Sequence, residues 1–218
     1  MSFWSRMATR KRLTALPTNP AHLSMPGWDL VSHEPLAAYW RDAVGDVASL
    51  TLARHDAAFP SLSDTGKLQE YCRRVAQLQG AGLIEVATLI GAEGPCVTYI
   101  YKRVGTPALT FFGVATTPIP GHRWVWMVVA YERGVTGIRE AFVTDKLLEV
   151  GELTVESYEA SWAQDPYSPS YQGVDRVTLR NCSDAPEYDA AFPDHPLTKV
   201  RRELRRLPTI TLASVAVA

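Results

Sequence analysis

Hydrophobic and polar positions along this chain predict a sheet first and helices second. Between Gly82 and Glu132 lie four strand-length runs, Leu83–Ile90, Val97–Lys102, Leu109–Ala115 and Arg123–Tyr131. They are rich in β-branched and aromatic residues and set off by Gly or Pro, the pattern of an antiparallel meander. In the last run Val125, Met127, Val129 and Tyr131 point to one side, while Trp124, Trp126, Val128 and Ala130 point to the other. Neither side suits water, so this strand is expected to be buried on both.

The flanking segments supply the rest. Asp46–Leu52 reads as a first strand, and Trp28–Trp40 as irregular. Ser63 or Asp64 is expected to cap a helix whose stripe is Leu68, Tyr71, Cys72, Val75 and Ala76, ended by Gly80 and Gly82. After the meander, Thr136 offers a cap for a helix to about Val150 with Ile138, Ala141, Phe142 and Leu148 inward. Thr154 offers another, with Val155, Tyr158, Glu159 and Trp162 on one side until Pro166. These helices are expected to cover the sheet. The last helix begins near Pro196, carries Leu197, Val200, Leu204 and Leu207 on one stripe, and stops at Pro208. A sheet of sequence neighbours needs no crossovers, so the fold class is α+β: an antiparallel meander sheet covered by helices, with a C-terminal helical and loop extension. The expected organisation is a basic arm over 1–27, one domain over 28–207 with core 46–150 and extension 151–207, and an apolar tail over 208–218. That strand-like tail is expected to pair with this sheet or another subunit.

Composition narrows the function classes. A net charge of -1 over 218 residues gives no strong nucleic-acid signal. Three cysteines without CxxC spacing suggest neither a disulfide scaffold nor a zinc site, and Cys72 reads as packing. The N-terminus is basic but lacks the apolar region of a secretory signal, so the chain reads as cytoplasmic. Phe3, Trp4 and Met7 beside Arg6, Arg10, Lys11 and Arg12 would allow a peripheral membrane contact, although a solubilising tail is the preferred reading.

No nucleophile elbow, phosphate loop, dinucleotide fingerprint or zinc-protease motif is present, so no catalytic residue, cofactor or metal is assigned. His22, His33, His55 and His122 have no partnered spacing. Three constellations remain. Glu132, Arg133, Arg139 and Glu140 bracket a strand end and helix start where an anion could bind, against the simpler reading that Arg139 and Glu140 pair with neighbours. Asp184, Glu187, Asp189, Asp194 and His195 offer oxygen and imidazole donors, but read first as the electrostatic complement of the last helix, with Asp194 or His195 as its cap. Lys199, Arg201, Arg202, Arg205 and Arg206 form a basic helix, more simply a solvated amphipathic face.

The order strand, helix, four-stranded meander and covering helices resembles the Mog1/PsbP/DcrB-like α+β group over roughly Asp46 to Val150. That resemblance implies an accessory, adaptor or chaperone-like module and carries over no functional residue. The leading expectation is a non-enzymatic module that binds a protein partner or self-associates. Its contacts would be Trp162, Tyr167 and Tyr171 of the Pro/Tyr loop region with Arg201, Arg202 and Arg205 of the C-terminal segment. The alternative is an enzyme or small-ligand receptor with a polar pocket at Glu132, Arg139 and Glu140.

Overall fold

The computed structural model describes residues 25–34, 36–92, 94–105, 108–171 and 175–206. The expectations for the basic arm up to residue 24, for Leu207 and for the apolar tail lie outside the described residues. In chain order the elements are β1 (Trp28–Glu34), β2 (Ala37–Asp42), β3 (Val47–Arg54), α1 (Thr65–Leu78), β4 (Gly82–Gly91), β5 (Gly94–Val104), β6 (Leu109–Ile119), β7 (His122–Tyr131), α2 (Ile138–Glu149), α3 (Tyr158–Ser161) and α4 (Pro196–Arg206). Short 3-10 turns at Arg176–Thr178, Cys182–Asp184 and Pro186–Tyr188 lie between α3 and α4.

The seven strands among the described residues form one antiparallel sheet in the order β1-β2-β3-β7-β6-β5-β4. The fold is α+β with an antiparallel meander, and β7 occupies its centre. Ala48, Leu50 and Leu52 of β3 stand opposite Val128, Trp126 and Trp124. The tryptophan face joins Trp40, Phe111 and Ala115 and is covered by Leu197, Val200 and Leu204 of α4. The opposite face carries Val97, Tyr99 and Val114 under Leu68, Tyr71, Cys72 and Ala76 of α1, with Val125 and Met127 packed at its margin. Each helix stripe turns an otherwise exposed apolar face into a core, at about 1.5–3 kcal/mol per fully buried large side chain.

Several expectations are corrected. Trp28–Trp40 is not irregular: it contributes β1 and β2, joined as a hairpin. β1 is an edge strand exposed beyond Trp28, so its sequence carries no alternation to read. The α2 N-cap is Gly137 at φ 75, not Thr136, because the chain reverses there through a left-handed residue that favours glycine. The inward side of α2 is Arg139 and Val143, while Ile138, Ala141, Phe142 and Leu148 face outward. The helix expected after Thr154 is the single turn α3; Thr154 and Ser157 bond to one another instead. The sheet is covered by α1 and α4, whereas α2 packs on the Cys182–Asp184 turn. The segment read as an extension therefore supplies one side of the core.

Candidate functional site

One end of the sheet opens into a groove of about 750 Å³ between the β2–β3 turn, the end of β7, the start of α2 and the start of α4. Its position follows from local chemistry. β7 ends at Tyr131, and the Glu132 N–H is held by the Leu109 carbonyl at 3.0 Å. Two glycines with positive φ, Gly134 and Gly137, then fold the chain back, so that α2 starts beside the strand it has just left. Glu140 falls in the first turn of α2, where the free N–H groups of a helix start favour negative charge. From the other side, Pro196 opens α4 and His195 caps it, its Nδ1 accepting the Leu197 N–H at 3.2 Å. The imidazole stands edge-on to Phe111, with ring centroids 5.4 Å apart.

The outcome is a cluster that no sequence spacing announces. One donor atom each from Glu132, Glu140 and His195 lie within 4.8 Å of one another. His195 Nε2 is 3.5 Å from Glu132 Oε1, and both side chains are nine-tenths buried. Among the described residues neither His195 Nε2 nor Glu140 Oε2 has a hydrogen-bond partner. A second polar set borders the groove, also missed from sequence: Lys199 bonds to Asp42 and, at 2.5 Å, to Asp46, which also accepts Arg133 at 2.6 Å. The hydrogen bond from Lys199 and the Asp46 and Val44 N–H groups outweighs the upward push of burial on Asp42 and holds its carboxyl below its ordinary value.

The anion site built on Arg139 is not available. This guanidinium is 1% exposed and spends its donors on Ser183 O at 2.6 Å and on Thr198 Oγ1, Ala185 O and Asp189 Oδ1, each at 2.9 Å. It ties α2 and α4 to the 3-10 turns rather than the helix to the sheet, and Glu140 has no ion pair among the described residues. Arg133 is likewise committed to Asp46. Of the acidic set, Asp184 binds buried Lys102 at 2.6 Å and Asp189 binds Arg139 and Arg201, while Asp194 and His195 line the groove and His195 joins the cluster.

The residues expected to meet a partner are separated. Arg201 is buried against Glu85, Asp189 and the Asp184 carbonyl, which removes it as a surface contact. Arg202 and Arg205 are exposed, and Arg202 lines the groove. The Tyr167 hydroxyl accepts the Val86 N–H at 2.7 Å and donates to its carbonyl at 3.3 Å, sealing part of the β4 edge. Asp165 grips Arg73 through two bonds, Arg73 lies over the Tyr171 ring, and Trp162 stacks on Tyr158. The Pro/Tyr loop is thus tied to its own molecule.

What the sequence does not advertise is the lip of the groove. Val135 and Ile138 of the lining are 77% and 54% exposed, and one turn further along α2 Phe142, 49% exposed, meets Phe192 of the lining edge-on. Among the described residues no helix is long and apolar enough to cross a membrane.

No protein-family profile matches this chain, and no curated protein matches it by sequence. Among solved structures it is similar to the Saccharomyces cerevisiae Ran-binding protein Mog1p, at 13% identity and a TM-score of 0.40, over 56% of this chain and 76% of that one. A mutant of protein Mog1 matches with the same values.

Proposed function

We propose that this chain is a cytoplasmic binding module of accessory type, which takes a protein partner through the groove and its α2 lip rather than through the Pro/Tyr loop. The observation behind this reading is the apolar lip of Val135, Ile138 and Phe142, continuous with a concave floor and bordered by exposed Arg202. Apolar anchors beside a concavity, with a polar margin, are where binding energy concentrates in protein interfaces. The partner would present a short segment with one or two large apolar side chains. The test is panning of a random peptide library against the full chain, with affinities of enriched peptides measured by fluorescence polarisation. Peptides bearing an apolar anchor should lose at least tenfold in affinity to Ile138→Asp or Phe142→Asp, and should be indifferent to Tyr171→Ala and Arg205→Glu. Failure to enrich any sequence, or the reverse pattern of sensitivity, refutes it.

A second reading, a small-ligand receptor, is favoured by the groove volume, which lies within the range of ligand pockets. Its polar contacts would come from Glu132, Glu140 and His195, with Arg139 excluded.

A further inference from the structure

We propose that Glu132, Glu140 and His195 bind one divalent ion of the zinc class at the floor of the groove, independently of any partner on the lip. The three donors come from three separate elements, the end of β7, the first turn of α2 and the cap of α4, and lie within 4.8 Å of one another. Two carboxylates at this distance repel each other unless a cation lies between them. The nearby cations are committed elsewhere: Arg139 to Asp189 and the turn carbonyls, Arg133 to Asp46, Lys199 to Asp42 and Asp46, and Arg202 of the lining to Glu203 at 3.7 Å. Glu140 has no ion pair among the described residues, its Oε2 is buried, and the nine-tenths buried imidazole of His195 leaves Nε2 without a hydrogen bond. Two unmet buried polar atoms, Glu140 Oε2 from α2 and His195 Nε2 from the start of α4, converging on one gap beside Glu132, are the observation that an acidic cluster by itself would lack.

The donor set selects the ion. One imidazole nitrogen and two carboxylate oxygens suit zinc, cobalt or manganese better than calcium or magnesium, which prefer oxygen alone. Three donors on a tetrahedral ion at about 2.1 Å would stand roughly 3.4 Å apart. The present spread, within 4.8 Å, has to tighten by up to about 1.4 Å on binding. Glu132 and His195 line the groove, so a fourth position would face it and take water or a ligand atom.

One feature sets a limit on affinity. Nδ1 of His195 accepts the Leu197 N–H, which puts the proton of the neutral ring on Nε2. Coordination through Nε2 moves that proton to Nδ1 and forfeits the capping bond, weakening binding by about tenfold relative to a site whose histidine is oriented by an acceptor.

The experiment is calorimetric titration of the chelator-treated full chain with zinc, and separately with magnesium. One equivalent of zinc should bind, with magnesium at least a hundredfold weaker. Glu132→Gln and Glu140→Gln should each weaken zinc at least tenfold, while Asp194→Asn and Cys182→Ser leave it unchanged. Circular dichroism establishes that the variants fold. In the native protein, cobalt should shift the imidazole resonances of His195 and leave those of His33, His55 and His122 in place, a readout that needs no variant. Absence of saturable zinc binding, binding indifferent to both glutamine variants, equal affinity for magnesium, or cobalt shifts confined to the other histidines would each overturn the site.

Discussion

Gly113 is the position where the sheet and α4 come closest, and adding one methyl there gives a calculable strain. It lies at the centre of β6, between Ile100 and Val128 of its neighbours, on the face that α4 covers. An added Cβ would stand 2.5 Å from Val200 Cγ1 and 3.0 Å from Leu204 Cγ and Cδ1. Carbon atoms rest at about 3.5–4.0 Å, so α4 would have to retreat by roughly 1 Å, since β6 is held on both sides by ladder bonds. Overpacking of this kind costs about 1–3 kcal/mol, against which the lost glycine entropy returns about 0.5–1 kcal/mol. Gly113→Ala should therefore destabilise the protein by about 1–2 kcal/mol, read as a lower urea midpoint at unchanged m-value. Val200→Ala alone should cost about 1.6 kcal/mol for two buried methyl groups. In the double variant the new methyl occupies the space vacated, so the combined loss should fall short of the sum by about 1 kcal/mol or more. Strict additivity, or a neutral Gly113→Ala, would refute the packing of α4 on β6.

Three further outcomes follow from the same structure. Arg139→Met should lower stability by about 3–5 kcal/mol in denaturant titration, because Asp189 and two turn carbonyls lose a buried donor; Arg139→Lys should not restore it, since an ammonium cannot span the four acceptors. The Asp42 carboxyl is held below 3.8 by Lys199 and two backbone N–H groups despite burial, so its contribution is full above that value and lost as pH falls through the lower folded one. Asp42→Asn should flatten the acid limb of the stability profile below about pH 4, and an unchanged limb would remove Asp42 from it. Burial pushes the Cys72 thiol up to about 12, so a thiol reagent at pH 8 should leave it untouched in the native protein and titrate it only on denaturation.

How much of this was legible in the chain depends on the range of the interaction involved. The meander, the apolar character of both faces of β7, one buried and the other half-buried, and the stripes of α1 and α4 were readable because hydrophobic periodicity is a local consequence of backbone geometry. β1 and β2 escaped because an edge hairpin exposes residues on both sides; the inward Ala38 and Trp40 against outward Tyr39 and Arg41 were the faint signal available. α2 was misoriented because a buried guanidinium inverts the usual rule: Arg139 faces inward because four acceptors from α4 and the distant turns wait for it.

Sequence alone determined the meander, the strand before it, the helices α1, α2 and α4, the order of these elements, and the need to cover a tryptophan-bearing strand. Tertiary structure decided which helices do the covering, which charges are consumed internally, and that Glu132 and Glu140 meet His195. The division has one cause: amphipathic patterning is written in neighbours along the chain, whereas charge pairing and donor convergence depend on distances set only after the sheet closes.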